Sequence, residues 1–118
     1  MTKPGSAEAG ARFTSVTDAA ELDELFALSE HQPVILFKHS TTCPISAAAY
    51  QQMSDYDGEV SLIIVQSARD ISRKVEAMTG IRHESPQAII LSRGKAVWSA
   101  SHWKIKTSAI ESAVAAQR

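Results

Sequence analysis

The stretch Val34-Ile-Leu-Phe-Lys-His-Ser-Thr-Thr-Cys-Pro-Ile-Ser46 decides the reading of this chain. Four apolar residues in a row, Val34 to Phe37, suit a strand buried on both faces, the pattern of a central parallel strand. Ser40, Thr41 and Thr42 follow as a polar turn. Then comes Cys43-Pro44, where proline suits the first turn of a helix because its missing N–H needs no partner there. Cys43 therefore falls at a helix N-terminus. Unpaired amides and the positive end of the helix dipole favour an anion there, and for a cysteine that anion is the thiolate. Structural cysteines sit more often within apolar runs. This one stands between hydroxyl residues and a proline, which points to a reactive thiol.

The rest of the composition bounds the problem. A chain of 118 residues with 44% apolar content suits one globular domain with a single core. A formal charge of −1 argues against a polybasic surface for nucleic acid or membrane. A single cysteine excludes an internal disulfide, and without a secretory pattern at the N-terminus the expected home is a reducing cytoplasm. No apolar run approaches the length of a membrane span.

Taken in order, residues 1–12 are small and polar and read as a flexible tail ahead of one domain over 13–118. Phe13 to Val16 predicts a first strand. Asp18 and Glu21 have capping-box spacing before a helix with Leu22, Leu25 and Phe26 on one face. After the strand Val34 to Lys38, a helix from Pro44 carries three alanines for close packing and is expected to stop at Asp57-Gly58. Leu62 to Val65 repeats the buried-strand pattern. Ile71, Val75 and Met78 mark a helical stripe closed by Gly80. Gln87 to Leu91 and Lys95 to Ala100, joined by a tight Arg93-Gly94 turn, must pair antiparallel. Ser108 and Glu111 are expected to cap a last helix that buries Ile110, Ala113 and Val114.

The order is βαβαβαββα. Right-handed crossovers make the first three strands parallel, and the hairpin extends the sheet on one side, giving an α/β fold with a mixed five-stranded sheet flanked by helices. This order, with Cys43 between strand two and helix two and Ser85-Pro86 just before strand four, resembles the thioredoxin fold. The resemblance implies a cis Ser85-Pro86 bond facing Cys43, with the Ser85 backbone available to pair with a substrate's main chain as a short added strand.

Three blocks make the likeness more specific: Lys38-His-Ser-Thr-Thr-Cys-Pro-Ile-Ser46, Ile81-Arg-His-Glu-Ser-Pro-Gln87 and Ser101-His-Trp-Lys-Ile105. Together they resemble the monothiol bacilliredoxin family, over about residues 13 to 117. One departure is Lys106, which stands between Ile105 and Thr107. The resemblance implies a thioredoxin-like oxidoreductase that removes bacillithiol from mixed disulfides of S-thiolated cytosolic proteins. Bacillithiol acts there as co-substrate, with no bound cofactor, metal, nucleic acid or membrane.

The residues limit the chemistry in the same direction. A C-x-x-C pair attacks with its first cysteine and resolves with its second; here the second position is Ser46, whose hydroxyl cannot form a disulfide. What remains is a single exchange in which Cys43 takes over the small thiol, with Thr42, Pro44 and Ser46 as its immediate support. Ser46 either donates a hydrogen bond to the Cys43 thiolate or faces solvent. Topology brings His39, Arg82, His83, Ser101, His102 and Trp103 to the Cys43 end of the sheet, where the resemblance also sets Ser85 and Pro86. Arginine and protonated histidine there would suit a thiol bearing carboxylates, a description that fits both bacillithiol and glutathione. Trp103 reads as a packing lid and Lys38 as a snorkelling strand end. The other readings are a metal site from Cys43 with His39, His83 and His102, an iron–sulfur cluster shared between two subunits, and a non-enzymatic binding module or redox sensor.

Overall fold

The computed structural model of the protein describes residues 10–118. Five strands, β1 (Ala11–Ser15), β2 (Val34–His39), β3 (Gly58–Ile64), β4 (Gln87–Ser92) and β5 (Lys95–Ser101), form one sheet in the order β1-β3-β2-β4-β5. β1, β3 and β2 are parallel; β4 and β5 run antiparallel to their neighbours. Four helices, α1 (Ala19–Leu28), α2 (Pro44–Ser54), α3 (Arg69–Thr79) and α4 (Thr107–Ala115), cover the two faces. The expected element order and mixed sheet are both present.

Alternation along β2 explains the layering. Every residue from Val34 to His39 is buried. Ile35 and Phe37 pack with Met53 of α2 and Ile110 of α4, whereas Val34 and Leu36 pack on the other side with Leu22 of α1 and Val75 of α3. The period of two thus sends His39 toward α2 and Lys38 toward α3. Burying the 24 apolar side chains of these two clusters is the main stabilising term, each worth roughly 1.5–3 kcal/mol when large and fully covered.

Several local expectations need correction. β1 spans Ala11–Ser15 rather than Phe13 to Val16; residues 1–9 of the expected tail lie outside the described residues. α2 ends at Ser54, capped at Asp55, and Gly58 opens β3 rather than stopping the helix. Gly58 is needed there because a Cβ would meet the Tyr56 ring at 2.6 Å. β3 consequently starts four residues before Leu62, since β1 supplies a parallel partner from Ala11 opposite Gly58 onward.

Met78 of the α3 stripe is 40% exposed, and Ser72 is buried on the sheet-facing side instead. α4 begins at Thr107 with no side-chain cap from Ser108 or Glu111. Thr107 Oγ1 donates to the Gln52 carbonyl at 2.6 Å, and its amide donates to Gln52 Oε1 at 2.9 Å, so α2 anchors the start of α4. The α1 cap forms in a shifted version of the expected box: the Glu21 amide donates to Asp18 Oδ1 at 2.8 Å, while Glu21 Oε1 accepts at 2.8 Å from the amide of Thr17, one residue before the N-cap. The Arg93-Gly94 turn has positive φ at both residues, 55° and 78°, as a two-residue hairpin turn requires.

Candidate active site around Cys43

Cys43 is the N-cap residue of α2, with extended backbone (φ −108°, ψ 124°), and it is partly exposed. Pro44 occupies the first helical position, as its absent N–H allows. The strand Val34–His39 carries the chain to this end of the sheet, and three residues, Ser40 to Thr42, make the turn.

Ser46, one helical turn past the thiol, is 0% exposed. It is therefore not a solvent-facing serine. Its Oγ accepts from the Ser40 amide at 2.9 Å and lies 2.8 Å from His39 Nδ1, so its partners are the turn and the strand end rather than Cys43. The hydroxyl ties the first turn of α2 to the loop that presents the thiol. Burial holds the His39 ring below the ordinary histidine value, with its contact to Ser46 opposing the shift. Its ring centroid is 4.9 Å from Tyr50 and 5.6 Å from Phe37, which closes it into an aromatic nest.

Gln66, in the connection after β3, holds the loop from the other side. Its Nε2 donates to Ser40 Oγ at 2.9 Å and to Thr42 Oγ1 at 3.2 Å, while its Oε1 accepts from the Thr41 amide at 3.3 Å. Nothing in the sequence marked Gln66, because the pairing spans more than twenty residues and depends on β3 lying beside β2.

Lys38 does not snorkel. It is 0% exposed, and its Nζ lies 3.1 Å from the Ser72 carbonyl oxygen and 3.1 Å from His83 Nδ1; Ser72 Oγ lies 3.0 Å from the same ring nitrogen. α3 covers this face of β2, so the amine finds its partners inside. Burial pushes Lys38 down to about 8, with the Glu76 carboxylate opposing. His83 is held below its ordinary value by burial first and by the Lys38 charge second, against Glu76 and Glu84.

The expected histidine cluster divides into separate sets of partners. His39 meets Ser46, His83 meets Lys38 and Ser72, and His102 Nδ1 lies 3.3 Å from Glu84 Oε1. The His102 amide donates to the Pro86 carbonyl at 3.1 Å, which fastens the end of β5 to the Ser85-Pro86 loop. That peptide bond is cis. His102 itself has left-handed backbone, φ 54°, as it enters a short 3-10 turn, His102–Lys104.

Arg82 is exposed, and its carbonyl accepts from Gln87 Nε2 at 2.9 Å. Trp103 is 60% exposed, so it is not a buried lid; with His102 it edges a small cleft of about 60 Å³ against Ala48, Ala49 and Gln52 of α2. Among the described residues, no three of His, Cys, Asp or Glu gather in a group able to hold a metal ion. No helix among them is long and apolar enough to cross a membrane.

Of the larger clefts among the described residues, one, about 550 Å³, lies at the opposite end of β2 between Pro33, Arg93 and Arg118 and holds no cysteine. The other, about 490 Å³, has Ser40 and Thr42 on its rim, next to Cys43, and runs along α3 past Arg69, Arg73 and His83.

A parallel-antiparallel sheet of this order with a lone thiol at the N-terminus of α2 defines a thioredoxin-fold protein of thiol redox chemistry. The model of the monothiol bacilliredoxin BrxC family matches residues 14–110, and the chain belongs to that family. A solved structure described as a candidate oxidoreductase with a thioredoxin fold is 33% identical, with TM-score 0.79, covering 86% of this chain and 92% of its own. A thioredoxin mutant from Halobacterium salinarum (15% identity, TM-score 0.67, 90% of each chain) shares the fold. So does reduced Schistosoma mansoni thioredoxin pre-protein (14% identity, TM-score 0.66, 91% of this chain and 99% of that one).

Proposed function

We propose that this protein is a monothiol oxidoreductase that removes a low-molecular-weight thiol, bacillithiol, from mixed disulfides of cytoplasmic proteins through Cys43. The observation that carries the reading is the pairing of a partly exposed Cys43 at the α2 N-cap with a buried, hydrogen-bonded Ser46 where a resolving cysteine would stand. One sulfur supports one exchange.

In the first step the Cys43 thiolate attacks the bacillithiol sulfur of the mixed disulfide. The substrate's S–S bond breaks as the Cys43–bacillithiol bond forms, and the protein thiolate leaves and takes a proton from solvent. In the second step the thiolate of a free bacillithiol attacks the bacillithiol sulfur on Cys43. Bacillithiol disulfide is released and the Cys43 thiolate returns. Each step exchanges one disulfide for another, so no further oxidant or reductant is consumed.

The supporting residues have distinct proposed tasks. Ser46, Thr42 and Pro44 hold the thiol's loop and helix start; Ser85 and Pro86 at the mouth of β4 meet the protein substrate's main chain. Trp103, exposed beside α2, offers apolar contact to that substrate, and His102 fixes the loop between them. His39 supports Ser46 through its ring nitrogen.

Turnover tests the reading. With bacillithiol-capped protein in large excess and free bacillithiol present, the wild type releases many equivalents of protein thiol per Cys43, and Cys43→Ser releases none above background. A single equivalent followed by arrest would instead mark a sensor that is capped once.

A further inference from the structure

We infer that the cleft along α3 is the carboxylate subsite for the small thiol, with Arg69 and Arg73 as its anion-binding pair. The inference rests on the proposed thiol-transfer function and assigns the substrate's charged end a place. The side chains at positions 69 and 73 lie one helical turn apart, and both line the cleft of about 490 Å³ whose rim is Thr42, the residue before Cys43. That volume falls within the range of small-molecule pockets.

Like charges four residues apart repel along a helix, and both arginines stand in the N-terminal half of α3, where the dipole is already positive. Ala68 supplies no side-chain cap to that end. Among the described residues, neither guanidinium takes part in an ion pair. Asp70, the acid of the first turn, is not part of the cleft wall. The acid that does line it, Glu76, accepts the His83 amide at 3.2 Å and faces the Lys38–His83 pair.

Two arginines, each able to grip a carboxylate with two N–H groups, suit a thiol that carries more than one carboxylate. The hydroxyls of Ser40 and Thr42 and the Gln66 amide add hydrogen-bonding groups between the sulfur and the charges. Arg82, the arginine that sequence position suggested for this task, lines no part of the cleft.

The test compares wild type, Arg69→Gln/Arg73→Gln, and Arg82→Gln as a control of equal sign. The first readout is the rate of Cys43 with dithiobis-nitrobenzoate, a dicarboxylate disulfide, divided by its rate with neutral dithiodipyridine; it needs no bacillithiol. We expect this ratio to fall about tenfold in the double variant and to stay within about twofold in Arg82→Gln, the scale of losing charge-assisted hydrogen bonds. An unchanged ratio in the double variant, or an equal fall in Arg82→Gln, overturns the subsite. The second readout is KM for bacillithiol-capped protein, expected to rise about tenfold in the double variant. If wild type transfers no bacillithiol, the functional reading fails while the reagent ratio still decides the subsite.

Discussion

Ser46 Oγ bridges His39 Nδ1, 2.8 Å away, and the Ser40 amide, 2.9 Å away, so the position of a missing resolving cysteine is occupied by a buried staple of the active-site loop. Its hydroxyl has one proton and two lone pairs, and the Ser40 N–H takes one lone pair. Ser46→Ala leaves an amide and a ring nitrogen without partners in a buried place. The expected cost is about 1–3 kcal/mol in urea unfolding. Bacillithiol transfer to Cys43 should retain much of its rate, since the serine acts on the loop rather than on the sulfur. A variant of unchanged stability would contradict the staple.

Lys38 gives a pH signature of opposite sign to ordinary alkaline unfolding. Its value is about 8 in the folded protein and 10.5 in the unfolded reference, so between those values the unfolded chain binds more protons. Stability contributed at this site therefore rises as pH increases from 8 to 10.5, by at most about 3 kcal/mol. Lys38→Met, similar in length and uncharged, should lack that rise and be at least as stable as wild type at neutral pH. Urea midpoints of the two proteins across this range check it; a constant difference would show that the amine titrates as if exposed.

On the acid side, His39 and His83 are both held below the reference value of 6.5. Just below that pH the unfolded chain takes up protons that the folded protein refuses, so stability falls as pH drops through 6.5. His39→Asn should flatten part of this slope, while costing stability at neutral pH through the lost ring contacts with Phe37 and Tyr50. Equal slopes in wild type and variant would assign the acid loss elsewhere.

How much of this was legible in the sequence follows from the range of each interaction. The fold and the place of Cys43 rest on local patterns: the apolar run Val34 to Phe37, the Cys43-Pro44 step, the Asp18 and Glu21 box, the Arg93-Gly94 turn. Each is written within a few residues. The extension of β3 back to Gly58 and the anchoring of α4 by Gln52 depend on neighbours far along the chain, β1 in one case and α2 in the other. The site divides the same way. Lys38 and His39 are adjacent in sequence, yet pleating sends them to opposite faces, so two histidines predicted to share a rim meet different partners. Arg69 and Arg73 resemble ordinary charges of an amphipathic helix until the cleft beside Thr42 is seen.

Gln66 offers a test of the loop's rigidity. Its amide bonds Ser40, Thr41 and Thr42 from outside, in an exposed setting where hydrogen bonds contribute little to global stability. Gln66→Ala should shift the unfolding free energy by less than about 1 kcal/mol and increase hydrogen exchange at the Thr41 amide. Unchanged exchange would mean that Ser46 alone holds the loop.

Intact-mass analysis after incubation with a bacillithiol-capped protein tests the central claim most directly. The wild type should gain the mass of one bacillithiol on Cys43 as the substrate loses it, with far less gained from a glutathione-capped protein, and Cys43→Ser should gain nothing. No adduct on wild type, or equal release of substrate thiol by Cys43→Ser, would contradict a monothiol exchange at this residue.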